Sequence, residues 1–179
     1  GIVYVAPSVG PGGDGFASTP YATLTEALNH PEPMTHIFIA EGEVEAPASW
    51  DFSETVTLAG WGHAEVTLVT KDNADLQWST SKVVSLSNLA IKPRVSLSEG
   101  TWVLTGLHLE SSMEPLDVTD ASIQLVDSVV RSGGERAVVL VNSEASIRRS
   151  ALEGGTRTGL AVLEGSSAHV MASEISGAN

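Results

Sequence analysis

Apolar residues recur along this chain in pairs two positions apart, and the pairs themselves recur every 18 to 23 residues. The segments LSNLAIK from Leu86, LTGLHLE from Leu104, LVDSVVR from Leu125, IRRSALE from Ile147 and VMASEIS from Val170 align with an apolar residue first in each. Two residues upstream stand Val84, Trp102, Ile123, Ala145 and Ala168; five downstream stand Ile91, Leu109, Val130, Leu152 and Ile175. A second set pairs Val95 with Leu97, Leu116 with Val118, Val138 with Leu140, and Leu160 with Val162. A spacing of two is strand alternation with one face inward, so each repeat predicts three short strands parted by turns of Ser, Gly, Asn and Asp. Coils of about 22 residues, each pairing with the next ~4.8 Å away, bury every apolar column as a continuous ridge. The expected fold is all-β: a single-domain right-handed parallel β-helix with a short N-terminal capping helix.

The N-terminal stretch GPGGDGFASTPYATLTEALN has a different pattern. Gly10, Gly12 and Gly15 spell G-x-G-x-x-G after the apolar run Ile2–Ala6, and Glu41 closes a strand roughly where a ribose-binding acid would stand. A dinucleotide loop needs its third glycine to open the helix directly. Here Phe16 to Pro20 intervene, the helix signal is the capping box Thr23/Glu26 followed by Leu24, Ala27 and Leu28, and no βαβ alternation follows. The glycines are therefore read as a flexible turn crossing the end of the solenoid. Residues 1–35 hold the first strand, this turn and the helix, and residues 36–179 hold the coils. Because the chain stops at ISGAN just after a strand, with no closing cap, the coils are expected to continue beyond Asn179 in the native protein.

The polar positions form columns too. Ser128, Ser150 and Ser173 follow Leu89 and Leu107 in one of them, read as an inward hydroxyl ladder whose serines satisfy one another. Lys92, Glu110, Arg131 and Glu153 alternate in sign, which predicts surface ion pairs between neighbouring coils. Glu99, Asp120, Asn142 and Glu164 share a turn column; two carboxylates, an amide oxygen and water suit calcium, although solvated turn residues look the same. No cofactor is required by any motif, so calcium is the one ion this pattern suggests. Asp127 and Arg149 fall in one column as an expected ion pair. With Arg136 and Arg157, each of which follows a Gly-Gly, Asp127 makes up the one mixed-charge group that looks like an acid/base site. His30, His36, His63, His108 and His169 have no metal-ligand spacing. Trp102 and Trp78 fall in inward columns; Trp50 and Trp61 sit near turn signals, where packing under the helix is the expected fate and exposure would create a surface for sugar rings.

Composition narrows the partners. The 179 residues include 22 Asp plus Glu against 9 Lys plus Arg, a formal net charge of −13. Nucleic acid and other polyanions are excluded as partners unless a cation intervenes, since phosphate binding needs clustered Lys and Arg. No apolar run reaches the ~20 residues of a membrane span. There are no cysteines, so neither disulfides nor thiolate metal ligands support the fold.

The run YVAPSVGPGGDGFASTPYATLTEALNHPEPMTHIFIAEGEVEA, followed by VTLAGWGHAEVTL, resembles the N-terminal cap and first coils of the pectin-lyase-like superfamily. That resemblance implies a β-helix and a protein that is secreted or displayed on a cell surface. It carries over no catalytic residue, because the superfamily's enzyme motifs are missing here and the same fold hosts lyases, hydrolases, esterases and non-catalytic modules. The function expected is a non-catalytic β-helix module of a larger protein, attaching a polysaccharide or surface protein or acting as a rigid scaffold. The alternatives are a carbohydrate-active enzyme domain and a piece that self-associates end to end through an uncapped last coil.

Overall fold

A computed structural model describes residues 1–62 and 65–177. In chain order its elements are β1 (Ile2–Val5), α1 (Leu24–Leu28), β2 (His36–Ile39), β3 (Gly42–Glu45), β4 (Ser49–Phe52), β5 (Val56–Gly60), β6 (Val66–Val69), β7 (Leu76–Thr80), β8 (Val83–Ser87), β9 (Ala90–Ile91) and β10 (Val95–Ser98). There follow β11 (Thr101–Thr105), β12 (His108–Ser111), β13 (Leu116–Thr119), β14 (Ser122–Val126), β15 (Val129–Ser132), β16 (Val138–Val141), β17 (Glu144–Arg148), β18 (Ala151–Glu153), β19 (Leu160–Leu163), β20 (Ser167–Met171) and β21 (Glu174–Ser176). From β2 onward every third strand joins the same sheet, and the strands within each sheet pair in parallel. The first sheet runs β1-β2-β5-β8-β11-β14-β17-β20, the second β3-β6-β9-β12-β15-β18-β21, and the third β4-β7-β10-β13-β16-β19. The chain is a parallel β-solenoid of about 6 turns with three sheets and one short helix.

The apolar columns set this register. Leu86, Leu104, Leu125, Ile147 and Val170 are successive partners in the first sheet. Ile91, Leu109, Val130, Leu152 and Ile175 are partners in the second, and Val95, Leu116, Val138 and Leu160 in the third. A slip of one residue would turn each column to solvent. Trp78 and Trp102 fill the wide part of the core as expected, with Phe52 edge-on to both at 5.3 and 5.9 Å. Each indole N–H has an acceptor at 3.0 Å, Pro47 O for Trp78 and Glu99 O for Trp102.

The serine column faces inward, but its hydroxyls do not satisfy one another. Strands stand ~4.8 Å apart, too far for a hydroxyl-to-hydroxyl bond between coils. Each hydroxyl instead donates to the carbonyl two residues back and accepts the backbone N–H of the preceding coil. Ser128 donates to Val126 O at 2.8 Å and accepts from Leu107 N at 3.0 Å; Ser150 donates to Arg148 O at 2.9 Å and accepts from Ser128 N at 3.2 Å. At another corner Ser143 donates to Val141 O at 2.7 Å and accepts from Ala121 N, and Ser166 accepts from Ser143 N.

From Gly15 onward the N-terminal stretch forms an edge cap on β1. Residues 15–21 lie along the outer edge of β1, where Tyr4 N donates to Gly15 O (2.9 Å), Tyr21 N to Tyr4 O (2.9 Å) and Ala6 N to Tyr21 O (2.8 Å). These bonds occupy backbone groups that an edge strand would otherwise expose. Gly15 has φ +85, and a Cβ there would meet the Tyr21 ring at 2.6 Å and Val3 at 2.8 Å, so only glycine fits. The capping box of α1 forms, with Glu26 N donating to Thr23 Oγ1 at 3.2 Å and Thr23 N to the Glu26 carboxylate at 3.0 Å. Leu24, Ala27 and Leu28 are buried over the first coil. In the last described coil Val162, Val170 and Ile175, all in inward columns, are 43%, 38% and 39% exposed.

Candidate functional site

The feature that stands out on the surface is a cluster of aromatic rings on the outer face of the first sheet. Tyr4 on β1 and Phe38 on β2 are register partners, both pointing away from the core, with ring centroids 5.8 Å apart. The next residue of that column is Ala59, whose methyl leaves room above it. Trp61 follows just after β5, anchored by its N–H to Ile39 O at 2.8 Å. Its indole lies 5.1 Å from Tyr4 and 6.4 Å from Phe38, and His36 stacks on Phe38 at 6.0 Å with 18° between planes. Trp61 is 54% exposed, as is Ile2, the partner of His36. Trp61 therefore does not pack under the helix; Trp50 does lie half-buried against the core beside it. Single exposed apolar residues are ordinary, but a contiguous group of rings marks an interaction surface. The edge cap fixes Tyr4 from both backbone sides, so the platform sits on rigid sheet rather than on a loop.

The turn column is dispersed at the solvent surface. Glu99, Asp120, Asn142 and Glu164 are all exposed and all have positive φ (58, 53, 46 and 22). They occupy the left-handed corner between the third and first sheets, which suits Asn and Asp. Asn142 donates its amide to Asp120. Among the described residues no three His, Asp or Glu side chains converge as a metal-ligand set.

Asp127 and Arg149 form the expected pair, doubly bonded at 2.7 and 2.8 Å. The Arg149 hydrogen bond holds the Asp127 carboxyl below the usual carboxylate range. Arg136 and Arg157 do not join them: Asp127 precedes β15, whereas Arg136 follows it and Arg157 follows β18. Arg136 pairs with Glu114 at 3.3 Å and Arg157 with Glu135 at 3.4 Å. In the alternating column only Arg131–Glu153 closes, at 2.8 Å. Lys92 pairs with Glu43 and Glu110 approaches His108 at 3.5 Å, so the ladder is incomplete. His30 bonds Tyr21, and His63 lies outside the described residues.

A second charged group, not anticipated from the sequence, sits on the outer face of the third sheet. Arg94 bonds Asp117 and lies 3.8 Å from Asp75 and 3.9 Å from Glu114, which also takes Arg136. Burial pushes the Asp117 carboxyl up from its ordinary value, since three carboxylates share two guanidinium groups and Asp117 is only 19% exposed. The Arg94 Nε is buried without a partner.

No family model, curated protein or solved structure matches this chain. What can be argued about its function therefore comes from its own surface.

Neither surface site was named in full by sequence columns. Tyr4, Phe38 and Trp61 belong to the irregular first coils, where the helix and turns lengthen the repeat, so alternation alone does not align them. Arg94 and Asp117 sit one coil apart but two positions out of register, with the Val95/Leu116 column between them. The signal that could have found the platform is the odd-even phase of YV, HIFI and VTLAGW: the ring positions fall on the outward phase of three strands that become neighbours.

Proposed function

We propose that this chain is a glycan-attachment module that holds sugar through the Tyr4–Phe38–Trp61 platform. The observation that carries the reading is the half-exposed Trp61 indole grouped with two further rings on a rigid sheet face. Pyranose rings present C–H bonds on their faces and hydroxyls at their edges, so they lie flat on aromatic surfaces, while His36 and Tyr4 offer polar groups at the rim. The resemblance of the N-terminal residues to the pectin-lyase-like superfamily, and the secreted or surface setting it implies, belong to the same proposal. The test is a glycan array followed by calorimetry on the hits, with Trp61→Ala as the control. Loss of at least about tenfold in affinity is expected, in line with an aromatic anchor that the bound sugar covers. Glycan binding undiminished in Trp61→Ala would overturn the reading.

One observation favours the enzyme alternative. Asp117, with its raised carboxyl, and Glu114, held by Arg94 and Arg136, are two carboxylates within 3.9 Å of one Arg94 nitrogen, and glycoside cleavage uses a pair of acidic side chains. Hydrolysis of a bound oligosaccharide that Asp117→Asn abolishes would favour that alternative over simple attachment.

A further inference from the structure

The platform is one end of a longer surface. Strands β1, β2, β5, β8, β11 and β14 contain no Asp, Glu, Lys or Arg, although the chain holds 22 acidic and 9 basic residues. Charge returns to this sheet only with Glu144 and Arg148 on β17. By contrast the outward positions of the second sheet carry Glu43, Glu45, Glu110, Arg131 and Glu153.

The outward residues of those six strands are aligned by the parallel register. One row runs His36, Thr57, Ser85, Val103 and Gln124, and the row beside it runs Tyr4, Phe38, Ala59, Ser87, Thr105 and Val126. Thr57, Ser85, Ser87 and Thr105 are half-buried, with their hydroxyls on the solvent side. The inward serines spend their hydroxyls on backbone groups, whereas no side-chain hydrogen bond to another described residue engages these outward ones. Steps of ~4.8 Å between strands give a straight lane of unused hydroxyl and amide groups leading away from the rings.

We infer that the ligand of the platform is a neutral, extended polysaccharide chain lying along the solenoid axis, one end stacked on Trp61, Tyr4 and Phe38 and its further sugars over Ser85, Ser87, Thr105 and Gln124. The inference rests on the glycan-attachment reading and gives it a substrate class and a direction. A uronic-acid polymer does not fit, because the described strands of the lane carry no Lys or Arg to meet its carboxylates and the net charge of −13 repels anions. A neutral chain loses nothing to that field, and its repeating hydroxyls meet donors and acceptors at a spacing close to its own.

The test is calorimetric titration of the 179-residue chain with neutral, extended oligosaccharides of about two to about six sugar units, the span that ~4.8 Å per strand lays across six strands. Polyuronates of equal length serve as the charged comparison. The variants are Trp61→Ala on the platform, and Ser87→Glu and Gln124→Glu, at an exposed position, on the lane, each checked for native circular dichroism. The expected result is affinity that rises about tenfold or more with length and no binding of polyuronates. Ser87→Glu or Gln124→Glu should remove the gain with length while leaving the shortest oligosaccharide bound as before, and Trp61→Ala should weaken every length. Affinity that is independent of length and indifferent to both lane variants, yet lost in Trp61→Ala, would overturn the lane and leave the platform standing. Preference for polyuronates would overturn the neutral class. No glycan binding, together with self-association that Trp61→Ala dissolves in sedimentation, would overturn both readings in favour of a second copy of the chain.

Discussion

Replacing Ser150 by alanine tests whether the serine ladder stabilises the coils through the backbone. Ser150 is 4% exposed, and its hydroxyl is the acceptor for Ser128 N–H at 3.2 Å. The carbonyl it bonds, Arg148 O, also takes Asp127 N–H at 3.1 Å and so keeps a partner. The substitution therefore orphans one buried donor, at a cost of about 1–3 kcal/mol. Ser173→Ala removes the same group from the same column, yet the coil it belongs to is open to water, which can replace the lost acceptor; a few tenths of a kcal/mol is expected there. In urea unfolding followed by circular dichroism, slopes of about 1–3 kcal/mol per molar turn this into a midpoint shift on the order of 1 M for Ser150→Ala and almost none for Ser173→Ala. Equal shifts for the two variants, or none for either, would refute the account of hydroxyls serving backbone donors across coils.

Other substitutions probe corners and charges. Gly100→Ala places a Cβ 2.4 Å from Thr80 O at φ +55, so it should destabilise by more than about 2 kcal/mol, whereas Gly62→Ala, with no atom of the described residues beyond its chain neighbours within 4 Å, should cost only the ~1 kcal/mol of a left-handed alanine; thermal melts separate them. Asp127 has a depressed carboxyl, so its contribution is complete above the unfolded value of 3.8 and disappears as pH falls through the folded value; Asp127→Asn should flatten the acid limb of a stability profile, and an unchanged limb would count against the pair. Asp117 acts with the opposite sign: its carboxyl is raised, so stability declines as pH rises from 3.8 through the folded value, and Asp117→Asn should lose that decline in the same unfolding series. Trp61→Ala should leave the melting temperature nearly unchanged, since more than half of its surface is already in water, and a large drop would recast it as a packing residue.

The sequence was most informative where neighbours repeat. Val84, Trp102, Ile123 and Ala145 differ in size but share one phase, and the inward phase is what the columns record; each became a register partner of the next. The helix was legible because Thr23 and Glu26 form a local device that needs no tertiary knowledge. The glycine stretch was not, because its role as an edge cap depends on hydrogen bonds to Tyr4, distant in sequence, that no local pattern encodes. Charged columns were legible as columns and misleading as pairs. Long side chains reach sideways and across two coils, so Lys92 chose Glu43 over its neighbour Glu110 and Arg94 gathered carboxylates from Asp75, Glu114 and Asp117. The aromatic platform was missed for a related reason: Trp61 lies beyond the end of its strand and bends back over a column to which it does not belong.

The two ends of the solenoid differ, and that difference gives the molecule a gradient. At β1 the helix and the glycine edge seal the stack, while Val162, Val170 and Ile175 face water. In a structure whose units touch only their neighbours, a unit with one neighbour opens more readily than a unit with two. For the 179-residue chain taken by itself, opening is then expected to begin at β19, β20 and β21 and to advance coil by coil toward the cap. Amide protons of β5 and β8 should outlast those of β17, which in turn should outlast those of β20. The aromatic rings sit at the slowest-exchanging end, so the surface proposed to hold sugar is also the part of the chain that remains folded longest.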